Sequence, residues 1–259
     1  MSSSPEKAGI GLQLYSLKHA VQRDLIGALR QARQAGVDGV EFAGTQGRTA
    51  RELRAVLGDL GLKAIGSHVD WPTLGEGRDR LARAIEYGVE LGQQYIVCPS
   101  LPWSMTDSRE AWLRTAEVFE RIGRQVADAG MKFAFHNHSI ELETHDGEPG
   151  LGILYRHADP RWVRMELDTG WCDVTGLVRS VDFLREHAAH AELLHIKEIT
   201  AVGDPTARVL GQGAMDWPAI CALGQSIGVP WYIVEHEGDE DDPLQAIAEG
   251  VAYLRGLLM

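Results

Sequence analysis

Short, strongly apolar runs alternate along the chain with longer segments in which apolar residues recur at helical spacing. The short runs are rich in Val, Ile, Leu and aromatic residues, a composition that favours strands. Eight such runs begin at Ile10, Gly36, Leu62, Tyr95, Met131, Val163, Glu192 and Trp231. The pattern therefore predicts eight strands.

The segments between these runs are amphipathic and predict helices. They cover Asp24–Ala35, Ala50–Leu60, Arg78–Leu91, Ser108–Ala129, Leu177–Ala188, Trp217–Ser226 and Pro243–Leu257. Several end in a glycine just before the next strand, as in "QAGVDGVEF" and "DAGMKFAF", which is typical of a helix C-terminus that feeds a short loop. The connection "THDGEPGLGILYRHADP" predicts a longer loop with only a short helical piece.

Alternation of strands and helices favours parallel βαβ units, and eight units in about 250 residues is the size of a (β/α)8 barrel. A doubly wound open sheet is the alternative. It usually carries a glycine-rich phosphate loop after its first strand, whereas here that strand runs into "LYSLKHAVQRD". We therefore predict an α/β fold, a single (β/α)8 TIM barrel domain spanning residues 1–259, with residues 1–8 as a flexible tail.

Composition narrows the choice of partners. The chain has 259 residues, 44% of them hydrophobic, and its 37 acidic and 25 basic residues give a net charge of −12. This charge repels phosphate backbones and anionic lipids. No apolar run approaches the roughly 18 residues that span a bilayer, the N-terminus has no apolar signal region, and the three cysteines form no C-x-x-C pair.

We therefore expect a cytoplasmic protein without nucleic-acid or membrane partners. The acidic stretch "EGDEDDP" predicts a solvated loop that adds charge to a helix N-terminus. Barrels of this size often associate, so a homo-oligomer stays an open alternative.

Polar residues concentrate where the predicted strands end. In a parallel barrel, functional groups cluster at the C-terminal ends of the strands. The N-terminal ends show no such concentration, and side-chain alternation places Asp168 on the same strand face as Glu166. The residues at the C-terminal ends are Glu41, His68, His136, His138, Asp168, His195, Lys197, Glu235 and Glu237. This distribution predicts a functional site at that end of the barrel.

One imidazole and three carboxylates that converge on a point form a hard, oxygen-rich metal site. The expected ligands are Glu141, Asp168, His195 and Glu235, although Glu141 lies just beyond the strand end and His138 could replace it. Such a set suits Mn²⁺, Mg²⁺ or Co²⁺ better than a thiolate-type zinc centre. We expect one divalent ion, Mn²⁺ first, with Mg²⁺, Co²⁺ or Zn²⁺ as alternatives. Three carboxylates leave the loaded site near −1, which favours neutral polyhydroxy or keto substrates.

A divalent ion that chelates a carbonyl and its adjacent hydroxyl acidifies the C–H between them by stabilising the enediolate. Carboxylates or imidazoles beside the substrate can then move the proton, and a lysine can steady the oxyanion. The predicted catalytic residues are Glu141, Glu235, His138 and Lys197. The predicted substrate-binding residues are Glu41, His68, His136, Trp103, Trp171 and Glu237, the two tryptophans as walls for the apolar face of a sugar.

Five motifs carry a resemblance to a known family: "FHNHSIELE", "MELDTGW", "HIKE", "GQGAMDW" and "WYIVEHE". Together they resemble the xylose isomerase-like (sugar phosphate isomerase/epimerase) TIM-barrel superfamily over nearly the whole chain. The resemblance implies a single divalent metal held by Glu, Asp, His and Glu from strands five to eight, and Asp168, His195 and Glu235 match three of these positions. Ketose 3-epimerases of this superfamily usually carry a glutamate inside strand five, followed by proline. Here His136-Asn137 stands there and a glutamate comes only at Glu141.

The expected function is that of a metal-dependent sugar or keto-polyol isomerase/epimerase with a small carbohydrate substrate. Because relatives with an H-N-H strand are similar to inosose dehydratases and to enzymes that act on 3-keto-sugars, a metal-dependent lyase or dehydratase is the alternative. A nuclease of the endonuclease IV type needs more metal ligands and a basic surface, which the charge of −12 argues against. A binding module without turnover is disfavoured because Asp168, His195 and Glu235 are intact.

Overall fold

Eight parallel strands close into a barrel in the computed structural model, which describes residues 7–238 and 243–259. Each strand pairs with its neighbours in the sequence, and the last strand pairs with the first, so the sheet has no free edge. The strands are β1 (Gly9–Gln13), β2 (Gly39–Phe42), β3 (Lys63–His68), β4 (Tyr95–Cys98), β5 (Lys132–His136), β6 (Arg164–Asp168), β7 (Ala191–Ile196) and β8 (Trp231–Val234). The predicted (β/α)8 barrel is confirmed.

The helices of the described residues surround this barrel. They are α1 (Lys18–Arg23), α2 (Leu25–Gln34), α3 (Ala50–Leu60), α4 (Trp71–Leu74), α5 (Arg78–Leu91), α6 (Arg109–Asp128), α7 (Gly150–His157), α8 (Thr169–Val174), α9 (Ser180–Glu186), α10 (Trp217–Ile227) and α11 (Leu244–Leu257). Short 3₁₀ turns cover Leu14–Leu17, Trp103–Met105 and Ile140–Leu142. The long connection after β5 holds a small hairpin (Thr144–His145 with Glu148–Pro149) before α7, and a second hairpin (Ile199–Ala201 with Asp204–Ala207) follows β7.

Two sequence-based expectations fall largely outside the described residues. The predicted flexible tail covers residues 1–8, of which 1–6 are not described, and the acidic stretch after β8 includes 239–242, which are not described either.

Capping residues set the helix boundaries. The side chain of Thr49 accepts a hydrogen bond from the backbone N–H of Glu52 at the start of α3, and Ser108 caps α6 through Ala111. At the other end, Gly61 and Gly228 take the left-handed conformation, with φ of +65° and +80°. Glycine adopts this conformation without the steric cost of a Cβ, so these helices end where the glycines were expected to end them.

The barrel interior has two layers of different polarity. Toward the N-terminal ends of the strands it is filled by an apolar cluster of Ile65, Tyr95, Val97, Ala134, Leu193, Trp231 and Ile233. Toward the C-terminal ends the buried inward positions are polar, and they include Gln13, Glu41, Glu166 and His195. The apolar cluster therefore closes the barrel interior on the N-terminal side of the polar site.

Gly123 of α6 permits a close approach between this helix and the segment before β6. A Cβ at this position would overlap the backbone carbonyl oxygen of Trp162, which cannot move aside as a side chain would. Gly58 of α3 offers the matched contrast, because no atom outside its own helix lies within 4 Å of the position that its Cβ would take.

We expect Gly123→Ala to lower the free energy of unfolding by about 1–3 kcal/mol, the usual cost of overpacking. Gly58→Ala should leave it unchanged or raise it by about 0.5–1 kcal/mol, because alanine restricts the unfolded chain and favours the helix. Urea unfolding of both variants measures the difference. Equal stabilities would contradict the proposed close packing of α6.

Candidate metal and catalytic site

Four buried side chains bring potential metal ligands together at the C-terminal mouth of the barrel. Pairing of β6 with β7 sets Asp168 beside His195, and Glu235 follows directly after β8, where its backbone N–H bonds to Ile196 at 3.2 Å. One ligand atom from each of His136, Asp168, His195 and Glu235 lies within 4.8 Å of all the others. The side chains predicted from β6, β7 and β8 therefore do converge.

His195 stands at the centre of the site because its two ring nitrogens face different pairs of carboxylates. Its Nδ1 lies 3.2 Å from Oε2 of Glu235 and 4.0 Å from Oδ2 of Asp168. Its Nε2 lies 2.8 Å from Oε2 of Glu41 and 3.4 Å from Oε2 of Glu166. Burial by itself lowers the pKa of His195, but Glu166 and Glu235 raise it well above its ordinary value.

Asp168 has one carboxylate oxygen in use and one without a partner. Its Oδ1 caps α8 by accepting a hydrogen bond from the backbone N–H of Trp171 at 2.7 Å, whereas Oδ2 is buried and has no hydrogen-bond partner. Burial raises the pKa of Asp168 well above its ordinary value, against the opposing charge of Lys197. A buried carboxylate oxygen without a partner is costly, and a cation between it, His195 and Glu235 would satisfy it. The donor set of oxygens and imidazole nitrogens fits a hard divalent ion.

Asn137 fixes the backbone of Asp168 from the neighbouring strand. Its Oδ1 accepts a hydrogen bond from the N–H of Asp168 at 2.9 Å, and its Nδ2 donates to the carbonyl oxygen of Asp168 at 3.3 Å. The central residue of the H-N-H motif thus positions a proposed ligand.

A second polar group lies beside His195, and sequence reasoning left two of its members, Gln13 and Glu166, out of the candidate site. Gln13 Nε2 donates to Glu41 Oε2 at 2.9 Å. Glu166 Oε2 lies 3.1 Å from His68 Nε2 and 3.2 Å from His136 Nδ1. Two signals were present: Glu166 shares a strand face with Asp168, and Gln13 is a polar residue that ends an apolar strand.

This second group balances its own charge. Burial lowers the pKa of His68, but Glu41 and Glu166 raise it to about 10. Burial likewise raises the pKa of Glu41, but His68 and His195 bring it below its ordinary value. His136 behaves differently, because burial and the neighbouring His195 lower its pKa well below the ordinary value. The cluster therefore contains paired ions together with one neutral imidazole.

The rim of the mouth carries His138, Trp171, Lys197 and Glu237. Lys197 Nζ lies 2.8 Å from Glu237 Oε1, 4.0 Å from Glu235 Oε2 and 4.7 Å from the ring centre of Trp171. The ring of His138 is tilted against the same indole, with 5.9 Å between ring centres. Burial lowers the pKa of His138 to about 4, so this imidazole is neutral at pH 7.

The remaining predicted residues occupy distinct places. Glu141 is buried, and its Oε2 accepts a hydrogen bond from the backbone N–H of His138 at 2.8 Å. It does not belong to the groups of potential ligands found within the described residues, and its role as a ligand stays a prediction. Glu41 is fully buried next to His195. Its contact with a substrate hydroxyl also stays a prediction. Trp103 is 58% exposed on the loop after β4.

Glu198 accounts for the "HIKE" and "GQGAMDW" motifs in structural terms. Its buried carboxylate accepts hydrogen bonds from the backbone N–H groups of Gly211 at 2.8 Å and Met215 at 3.1 Å, and from the indole of Trp217 at 2.6 Å. These bonds fix the loop between β7 and α10 against the strand that carries His195 and continues into Lys197.

Across residues 7–238 and 243–259, no helix has the length and apolar character needed to cross a membrane.

A parallel barrel with a buried histidine and carboxylate site at its C-terminal mouth defines the class of protein, and comparison with known proteins identifies the family. A model of xylose isomerase-like TIM barrels matches residues 29–257. The chain therefore belongs to the xylose isomerase-like TIM barrel family, and the resemblance seen in the sequence is confirmed. The search of curated proteins gives no match.

Solved structures support this assignment. A sugar phosphate isomerase/epimerase from Parabacteroides distasonis is 25% identical, with a TM-score of 0.82 over 100% of this chain and 98% of that one. A D-allulose 3-epimerase from Methylomonas sp. is 16% identical (TM-score 0.71, covering 98% and 99%). A 3-keto-D-glucoside 4-epimerase from E. coli is also 16% identical (TM-score 0.70, covering 96% and 100%). The last two likenesses show the shared fold.

Proposed function

We propose that this protein is a divalent-metal-dependent isomerase or epimerase of a sugar or keto-polyol. Its family and its 25% identical structural neighbour, named a sugar phosphate isomerase/epimerase, support the reaction class. The observation that carries metal dependence is the buried group of His136, Asp168, His195 and Glu235, in which Asp168 Oδ2 has no partner.

The proposed ligands are Asp168, His195 through Nδ1, and Glu235, with a fourth from β5. The grouping of ligand atoms favours His136 for that fourth position, whereas Glu141 uses its carboxylate to hold the backbone of His138. A ligating imidazole must be unprotonated, so His195 would release its proton when the metal binds. Two carboxylates and two neutral imidazoles would then leave the site neutral around a divalent ion. A neutral site favours an uncharged reacting end of the substrate.

When bound, a divalent ion would polarise a substrate carbonyl and its adjacent hydroxyl and so acidify the C–H between them. The protein's own groups then handle the proton and the developing charge. His138 stands at the rim and is unprotonated at pH 7, so a ring nitrogen has a lone pair for a substrate proton, and the charge of Glu235 partly opposes the lowering of its pKa. Lys197, held by Glu237, places a cation where an oxyanion develops. Trp171 is adjacent to both groups, and its indole is the apolar surface proposed to pack against the C–H side of a sugar ring.

The second candidate is a metal-dependent lyase or dehydratase that acts on an inosose or a 3-keto-sugar. The H-N-H strand supports it, because His136-Asn137 replaces the glutamate and proline that ketose 3-epimerases carry there. Both reactions start with the same proton abstraction, and they differ only in whether the proton returns or a neighbouring hydroxyl leaves.

Glu41 is proposed to position His195. A hydrogen bond from Nε2 to Glu41 Oε2 fixes the imidazole orientation that presents Nδ1 to Asp168 and Glu235. Carboxylates that bond to the far nitrogen of a ligating histidine commonly contribute 10–100-fold to metal affinity.

Metal content tests the site directly. We expect protein purified without chelator to hold one divalent ion per chain and Asp168→Asn to lose it, because a neutral amide replaces the unpartnered carboxylate oxygen. Glu237→Gln is the matched control: it removes a carboxylate from the rim and should retain the metal. Elemental analysis of the three proteins decides the matter. A metal-free wild type, or metal retained in Asp168→Asn, would contradict the proposal.

Glu41→Gln should weaken Mn²⁺ binding by about 10–100-fold in a competition titration against a chelator. Glu192→Gln is the control, because Glu192 is also buried, at the opposite end of β7, where it bonds to Tyr95 and Lys132. That variant should lose stability without losing metal affinity. Equal affinities in Glu41→Gln and the wild type would show that Glu41 does not position His195.

Solvent exchange separates the two reactions. With Mn²⁺ in D₂O, the wild type should incorporate deuterium next to the carbonyl of a keto-sugar, and His138→Ala should slow this by about 10²–10⁴-fold, the usual contribution of a general base. Mass spectrometry then distinguishes a deuterated isomer from a product lighter by one water. Absence of exchange across a panel of keto-sugars would rule against the enediolate chemistry.

A further inference from the structure

A cavity of about 690 Å³ adjoins the site next to His68. Its walls come from the loop after β2 (Ala43, Gly44 and Thr45), from the end of β3 and the residues that follow it, and from one face of α5. This volume lies within the range of small-molecule sites. The residues proposed to act in catalysis do not use it.

His68 is the wall that this cavity shares with the buried cluster. Its side chain is 13% exposed, whereas those of His136 and His195 are 2% and 0% exposed. Its Nε2 contacts Glu41 and Glu166, and its ring centre lies 5.7 Å from that of His195. His68 thus lines the cavity and also contacts the buried cluster, which places the cavity next to the proposed reaction site.

Two arginines give this cavity a charge opposite to that of the whole chain. Arg80 and Arg83 are three residues apart on α5 and therefore lie on one side of the helix. Arg80 donates one hydrogen bond, to the carbonyl oxygen of Pro72 at 3.2 Å, and among the described residues Arg83 has no ion pair or hydrogen bond. Asp70 is the acidic residue of the lining, and its Oδ1 accepts a hydrogen bond from the N–H of Thr73.

We infer that the substrate of the proposed metal site is an elongated keto-sugar whose distal end carries an anionic oxygen group, a phosphate or a carboxylate, and that Arg80 and Arg83 bind this group. The planar forks of two guanidinium groups match the oxygens of either anion. The inference rests on the proposed function and specifies its substrate class. It agrees with the neutral metal site, because the reacting end stays uncharged while the anionic end occupies a separate cavity.

Calorimetric titration with inorganic phosphate at low ionic strength tests the arginine site. We expect saturable binding to the wild type and at least about tenfold weaker binding to the double variant Arg80→Ala/Arg83→Ala, because charge-assisted hydrogen bonds are lost. The matched control is Arg30→Ala/Arg114→Ala, which removes two exposed helical arginines elsewhere and changes the net charge equally. Its affinity for phosphate should remain within about twofold of the wild type, since screened distant charges contribute little.

Competition then distinguishes the two anions. D-fructose 6-phosphate and 5-keto-D-gluconate are titrated against bound phosphate, with D-fructose as the uncharged reference. Tighter competition by the sugar phosphate or by the sugar acid assigns the group, and either result supports the inference. The inference would be overturned if neither anionic sugar displaced phosphate better than D-fructose does.

The two proposals fail in different ways. Phosphate binding should persist in Asp168→Asn and after chelation, because the arginines lie outside the ligand set. The arginine site alone is refuted if the protein holds metal and exchanges protons but shows no saturable phosphate binding. It is also refuted if both double variants lose affinity for phosphate to the same extent. Persistent phosphate binding without metal or exchange refutes the proposed function, and with it the assignment of the anion to a substrate.

Discussion

The structure depends on one electrostatic constraint: several carboxylates and imidazoles must stay buried together near the mouth of the barrel. His195 meets this constraint by offering one nitrogen to Glu41 and Glu166 and the other to Glu235. Buried charges are tolerated only when they are paired. His68 supplies the second cation of the group, through its contacts with Glu41 and Glu166. Asp168 Oδ2, like Glu41 Oε1 and Glu166 Oε1, is buried without a hydrogen-bond partner, and a cation at the proposed metal site would satisfy it.

The backbone has to fit closely around such a cluster. Gly66 lies beside Glu41 in the barrel, and a Cβ there would come within 3.2 Å of Glu41 Oε1. Gly170 has a similar role, because its missing side chain lets the start of α8 lie against the backbone of Lys197. The apolar cluster below fills the lower half of the barrel. Glycines near the C-terminal ends of the strands and large apolar residues toward the N-terminal ends thus keep the polar residues in a single layer.

The mouth divides its chemistry between two regions. Around Asp168 and His195, the proposed metal and its ligands sum to little charge, which suits an uncharged carbonyl and hydroxyl. Beyond His68, two arginines face a cavity of their own. Among the described residues, exposed large apolar side chains also occur on the segments that follow β1, β4, β5, β6 and β7, namely Tyr15, Trp103, Ile140, Leu177 and Val202. An amphipathic sugar derivative, with polar groups at both ends and C–H faces between them, matches this arrangement.

Hydrophobic periodicity predicted the eight strands and the longer helices between them, because a barrel strand must be apolar toward the helices and a helix needs one apolar face. The short helices α1, α4 and α8 were not predicted. The position of polar residues at strand ends also indicated the candidate site, since parallel strands bring those ends together. Sequence could not decide which side chains meet. The roles of Glu166 and Gln13 depend on strand register, and Glu141 turns toward a local backbone N–H because a 3₁₀ turn follows β5. Such contacts join residues as much as 154 positions apart, so only the closed tertiary structure could specify them.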